Sequence, residues 1–171
     1  ILEGLDGKEH DFSMNKSGLL QTILTAMQHS LEVANSATQR AIESATDEET
    51  VPEHKYDTLA LEASYLAHGQ AMRVQECERD LDVMAHLQLP QQSERITLGS
   101  LVSLIDLEDN RRWFFVAPCT GGLKVQHQQQ EVMLVTFDSP LGFAMKGKSM
   151  GDEVEYQVAT ATFSYEVDTI I

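Results

Sequence analysis

Two stretches of this chain space their apolar residues in alternating steps of four and three. The first passes through Leu20, Leu24, Met27, Leu31 and Ala34, crosses a polar Thr38, and resumes at Ala41 and Ala45. The second passes through Tyr56, Leu59, Ala63, Leu66, Gln70, Val74, Cys77, Leu81 and Met84, with one extra residue of drift near Gln70. Steps of four and three hold an apolar stripe on one side of an α-helix and are the seam spacing of a coiled coil. Both stretches are rich in helix formers and free of internal proline, and Gly69 is the one weak position. The stripes are narrow and rich in alanine, and the segment joining them is short. The pattern therefore predicts an antiparallel helical hairpin, rather than two helices of a globular bundle. A helix of roughly 30 residues is about 45 Å long, which puts the connection at the end of a narrow rod.

That connection reads ATDEETVPEHKYDT, residues 45–58. Thr50 followed by Glu53 has the form of a capping box, and Pro52 is tolerated in a first helical turn. Glu53 thus has a structural use. Asp47, Glu48 and Glu49 do not, because they follow the C-terminal end of the first helix, where the macrodipole disfavours negative charge. They are either a solvated turn or ligands for something else.

The chain carries 171 residues, 42% of them hydrophobic, and a formal net charge of −15. Such a charge repels phosphate backbones and anionic membranes, so neither independent DNA binding nor membrane adhesion is expected. No apolar run approaches the length of a membrane span, and no secretory signal is recognisable. Cys77 and Cys119 lie far apart, match no zinc spacing, and read as free thiols in a reducing cytoplasm. Residues 1–13 have no clear period and read as a tag or disordered leader before Met14, a candidate initiator.

The pattern changes across Leu89-Pro90-Gln91-Gln92-Ser93. We divide the chain into a hairpin over 14–88 with its tip at about 46–53, a linker over 89–95, and a second domain over 96–171. In that domain ITLGSLVSLIDL (96–107), WFFVAP, EVMLVTF (131–137), DEVEYQVA and ATFSYEVDTII read as strands. EDNRR reads as a turn, and CTGGLKVQHQQQ as a loop or loose hairpin. SPLGFAMKGK (139–148) reads as a short helix with Ser139 as N-cap, Pro140 in the first turn and Gly147 at the stop. Trp113, Phe114, Phe115, Phe137 and Phe143 are expected in the core, with at most one or two forming an exposed patch. The fold class is α+β: a coiled-coil hairpin followed by a mostly antiparallel sheet with one short helix.

No phosphate loop, dinucleotide fingerprint or nucleophile elbow is present. Cys119 has no identifiable base, and the six histidines show no pairing at i, i+4. The trio Glu53, His54 and Asp57 reads as a surface helix end. A metal-dependent hydrolase working alone is therefore the weakest reading.

DSPLGFAMKGKSMGDEVEY (138–156), in a domain that opens ITLGSLVSL and follows a helical hairpin, resembles the C-terminal domain of the Gre family of bacterial transcription elongation factors, GreA and GreB. Ser139, Pro140, Leu141, Gly147, Lys148, Gly151, Asp152 and Val154 carry the resemblance. It implies an FKBP-like C-terminal domain, generally without isomerase activity, docking at the rim of the secondary channel of RNA polymerase. Ser139, Pro140, Leu141, Phe143, Lys146 and Gly147 are the implied docking residues. It further implies a coiled coil that enters the channel, with tip carboxylates helping to hold a second Mg²⁺ in the polymerase active site. The candidate ligands are Asp47, Glu48, Glu49 and Glu53, and Arg40, Lys55 and Arg73 are candidates for guiding RNA. The protein would then be a cytoplasmic monomer with no tightly bound cofactor, an accessory factor rather than an enzyme. The family tip is approximately Gly-Asp-x-x-Glu-Asn-x-x-Tyr. Counting back from Tyr56, Glu49 stands for the aspartate, Pro52 for the glutamate and Glu53 for the asparagine. Two modes stay open: stimulating cleavage of backtracked RNA, or occupying the channel without cleavage. A different class, an FKBP-like peptide-binding or chaperone module, is the further alternative.

Overall fold

The computed structural model describes residues 14–46 and 58–171. The leader, the Thr50–Glu53 capping box and the acidic tip lie outside the described residues. Two long helices, α1 (Lys16–Thr46) and α2 (Thr58–Ala85), pack along each other as the expected hairpin. Asn15 precedes α1, and its side-chain oxygen accepts from Gly18 N at 3.1 Å, satisfying one of the free amides of the first turn.

Tyr56 and the Leu59 side chain of the predicted stripe lie outside the described residues; among the described side chains the seam differs from the sequence reading at one place. Along α2 the shielded residues Ala63, Ala67, Gln70, Val74, Cys77, Leu81 and Met84 form an unbroken alternation of four and three, with Ala71 and Asp80 half-buried beside it. Leu66 is instead 56% exposed. Hydropathy favours leucine over its alanine neighbour, and choosing it created the apparent drift at Gln70. The interface takes the small side chain because it lets two backbones approach closely. On α1, Met27, Ala34 and Ala41 are buried at steps of seven, flanked by the half-buried Leu20, Leu24, Leu31 and Thr38.

Six strands follow: β1 (Leu101–Asp106), β2 (Arg111–Val116), β3 (Lys124–His127), β4 (Gln130–Val135), β5 (Glu153–Val158) and β6 (Ala161–Ile170). They form one sheet in the order β3-β4-β2-β1-β6-β5. All pairs are antiparallel except β2 with β4, which run parallel. A single short helix, α3 (Pro140–Met145), lies between β4 and β5 in sequence. The first expected strand begins later than its β-branched start suggests, because Gly99 turns the chain at φ 83°. A Cβ there would sit 2.9 Å from Pro90 Cδ. The EDNRR turn is closed by Asp106, whose Oδ1 accepts from the amides of Glu108 and Asn110, each at 2.9 Å. The loose hairpin expected over the glutamine run is a tight one. Gln128 and Gln129 both take positive φ, 48° and 65°, which matches the twist of a two-residue hairpin. Glutamine is an unusual residue there, so composition read it as loop.

The two faces of the sheet bury separate clusters. One gathers Phe114, Val116, Leu104, Val135, Val154 and Tyr165 under Met145 of α3. The other gathers Trp113, Phe115, Leu101, Val132 and Leu134 with Leu19, Ile23 and Met27 of α1 and Met84 of α2. The base of the hairpin is thus part of the core of the sheet domain. Leu19 and Ile23, off the predicted stripe, are fully buried because they face the sheet rather than α2. Asn15 N donates to Gln128 Oε1 at 3.1 Å, Thr22 Oγ1 lies 3.5 Å from His127 Nδ1, and Lys16 Nζ donates to Pro90 O, tying the hairpin base to the β3–β4 turn and to the linker.

Candidate functional site

The motif that carries the family resemblance folds into a clamped helix with one face outward. Ser139 caps α3: its hydroxyl accepts from Gly142 N at 3.1 Å and donates to Thr136 O at 2.8 Å. Pro140 occupies the first turn, where its missing N–H costs nothing. Gly142 is required by space, since a Cβ would lie 1.9 Å from Thr136 O. At the other end Gly147, at φ 73°, donates to Ile96 O at 3.0 Å, and Ile96 N donates to Lys148 O at 2.8 Å. Gly151 and Asp152 form the turn into β5: Asp152 Oδ2 accepts from Ser149 N at 2.8 Å, and Gly151 N donates to Val167 O at 2.7 Å.

These contacts divide the six candidate docking residues. Ser139 and Gly147 hold the helix ends, and Leu141 packs against the core cluster beneath α3. Pro140, Phe143 and Lys146 face out and line a cleft of about 670 Å³ between α3 and β5, with Lys148, Glu155 and Tyr156 on its other wall. Phe143 is 76% exposed, whereas Trp113, Phe114 and Phe115 are buried and Phe137 is half-buried. Lys146 Nζ stands 5.2 Å from the centroid of the Phe137 ring, close enough for a cation–π attraction. Tyr156 stacks on Phe163 with ring centroids 5.1 Å apart. Burial, followed by the neighbouring Tyr165, pushes the Tyr156 phenol above its ordinary pKa, so it stays a neutral hydrogen-bonding group at neutral pH.

On the hairpin, Arg40 lies on α1 and Arg73 on α2, both exposed. Asp47, Glu48, Glu49, Glu53 and Lys55 lie outside the described residues. Among the described residues no group of three histidine, cysteine or acidic side chains is arranged to hold a metal ion. Nor is any helix among them long and apolar enough to cross a membrane. Both thiols are free, and burial raises that of Cys119, making it a weak nucleophile.

Sequence reasoning missed a polar relay on the sheet. Ser103, wholly buried, donates to Asp168 Oδ2 at 2.7 Å, and the same carboxylate pairs with Arg111 Nε at 3.0 Å. These residues lie on three strands. A serine inside the apolar run LVSLI was the only local signal.

Residues 91–171 match the family model for the C-terminal domain of transcription elongation factor GreA/GreB. No curated protein sequence matches the chain. Among solved structures, the GreA factor homolog 1 (Gfh1) protein of Thermus thermophilus is 23% identical, covering 93% of this chain and 96% of its own, with a TM-score of 0.37. Gfh1 of Thermus aquaticus is 21% identical, covering 91% and 93%, with a TM-score of 0.38. A prokaryotic transcription elongation factor GreA/GreB from Nitrosomonas europaea is 14% identical, covering 55% and 78%, with a TM-score of 0.35.

Proposed function

We propose, from the match of residues 91–171 to the family model for the C-terminal domain of transcription elongation factor GreA/GreB, that this protein binds bacterial RNA polymerase and acts in its secondary channel. The observation that carries the reading is the outward face of α3. A clamped helix within the family-matched domain presents Phe143, Pro140 and Lys146 to solvent. Large exposed aromatics beside a cation are the kind of group that dominates protein interfaces. The hairpin shares a core with this domain, so a partner held at α3 also has the direction of the helical rod set for it.

In this reading the acidic connection between α1 and α2 is the working end, and Arg40, Lys55 and Arg73 steer RNA along the rod. Asp47, Glu48, Glu49 and Glu53 offer oxygen ligands, the type that Mg²⁺ takes, and would hold the ion together with polymerase groups. A second bound metal supplies an activated water or stabilises a leaving oxygen. The four carboxylates contribute ligands and negative charge to another protein's catalyst, so the protein is an accessory factor.

Purified protein is expected to co-elute with core RNA polymerase at micromolar concentration on a sizing column. Phe143→Ala should weaken that association roughly tenfold, as loss of a buried interface anchor does. Absence of co-elution, or capture of unfolded peptide without polymerase binding, would overturn the reading. Adding the protein to a stalled, backtracked complex with Mg²⁺ should shorten the RNA 3′ end, and Asp47→Ala with Glu49→Ala should abolish the shortening. Co-elution with an intact transcript selects channel occupancy without cleavage.

A further inference from the structure

We propose that the outer face of α2 is a docking surface for the α2 of a second copy of this chain, laid antiparallel along it, in place of the monomer that the family resemblance implies. The shielded residues Ala63, Val74 and Leu81 take the side of α2 turned toward α1. About half a turn round the helix lies a second apolar row, Leu61, Tyr65, Met72 and Val83. All four are exposed, Tyr65 to 69%. The fold does not need them, because α2 already packs its seam on α1 and buries Met84 against the sheet. Polar side chains would serve there equally well, and an apolar row left in water marks a place where another surface lands.

The order of residues along the row points to its occupant. With His68, Glu76 and Arg79 filling the gaps, the row advances by four, three, four, four, three and four, and so reads the same from either end. Its centre is Met72. Two copies related by a two-fold axis through Met72 therefore meet residue for residue. Met72 lies on Met72 of the second copy, Leu61 on Val83, Tyr65 on Arg79, and His68 on Glu76. Each contact is of a favourable kind: thioether on thioether, leucine on valine, a guanidinium over a phenol ring, and an imidazole N–H donating to a carboxylate. Among the described residues His68, Glu76 and Arg79 have no ion pair within their own chain, so all three are available to a neighbour.

Other arrangements lose these contacts. Parallel pairing sets Glu76 against Glu76 and Arg79 against Arg79, and like charges repel. Sliding the antiparallel pair by seven residues sets Leu61 against Glu76 in one direction and Met72 against Arg79 in the other. Leu61, Met72 and Val83 recur every eleven residues, close to three whole turns, so the row keeps to one side of a nearly straight helix. It spans about 33 Å at 1.5 Å per residue. One helix on another over that length sits at the small end of specific interfaces, and a net charge of −15 on each copy opposes it. The dimer is therefore reversible, with a Kd on the order of 10 μM. If the rod enters the polymerase channel as proposed above, the dimer covers the rod and the two states exclude each other; the pairing itself does not depend on that reading.

Sedimentation velocity of the purified chain from roughly 1 to 100 μM should show the mass rising from that of one chain toward that of two. Met72→Arg sets two like charges on the axis and is expected to weaken the dimer about tenfold or more, with the helical circular dichroism unchanged because the site is exposed. Glu76→Arg should weaken it about fivefold, and adding His68→Glu should restore it. Within one chain these two positions stand about 12 Å apart along the helix, too far to pair, so the recovery reads a contact between copies. Oxidising a mixture of Leu61→Cys and Val83→Cys proteins should join 61 to 83, mapped by mass spectrometry, with neither variant joining to itself. None of these measurements uses polymerase, so their failure leaves the channel reading standing, and failure to bind polymerase leaves the dimer standing. A chain that keeps the mass of one copy at about 100 μM overturns the proposal. So does a dimer that Met72→Arg leaves intact, or one whose disulfides join 61 to 61 and 83 to 83.

Discussion

At Gly142 the chain has no room for a single extra carbon. Its absent Cβ would overlap Thr136 O, and the collision is with backbone, which cannot swing aside. Gly142→Ala is expected to cost about 1–3 kcal/mol, as overpacking of a tight contact does, read as a lower urea midpoint. Phe143, its neighbour, should show the opposite profile, with little stability change on truncation and a loss only in partner binding. Asp106 offers a pH test at the same scale. Backbone and side-chain hydrogen bonds from Asn110, foremost among its partners, hold its carboxyl below the ordinary value of 3.8. A lowered folded value means its stabilisation is complete above the unfolded pKa and is lost as pH falls through the folded one. An NMR titration of the carboxyl should find it depressed, and Asn110→Ala should move it back toward 3.8.

The elements were legible where one period ran unbroken. Heptad spacing located both helices, and alternation located five of the strands. β3 was missed because its turn is made by two glutamines, and the seam of α2 was misread by one residue at Leu66, since apolarity alone does not say which neighbour faces a close-packed partner. Opposite outcomes are therefore expected at adjacent positions. Ala67→Leu should destabilise the hairpin by about 1–3 kcal/mol by forcing the helices apart. Leu66→Gln should stay within about 0.5 kcal/mol of neutral, because that side chain already meets solvent. Gly69 lies within α2 with nothing near its missing Cβ, so Gly69→Ala should stabilise by roughly 0.5–1 kcal/mol. Thermal melts followed at helical wavelengths measure all three.

For the whole molecule, the decisive feature is that hairpin and sheet share one core. Met84 of α2 and Ile23 of α1 are fully buried beside Phe115 and Leu101. Met84→Ala is expected to cost about 2–5 kcal/mol and to lower the helical transition and the Trp113 emission transition together. Two independent bodies joined by a linker would show the helical transition moving alone. Under the proposed function the shared core would keep the hairpin's direction fixed when only the sheet domain is gripped.

The amino-acid sequence by itself determined most of the elements and the motif within the stretch that matches the GreA/GreB C-terminal family model. Heptads, alternation, and the capped Ser-Pro helix leading to Gly-Asp are short-range patterns, set by backbone geometry and by steric demands that local residues must meet. Only the tertiary structure decided what faces what. It chose Ala67 over Leu66, turned Leu19 and Ile23 toward the sheet, and joined Ser103 to Asp168 and Arg111. Such choices depend on which surfaces meet after the chain folds back on itself, and residues far apart in sequence carry no local mark of that encounter.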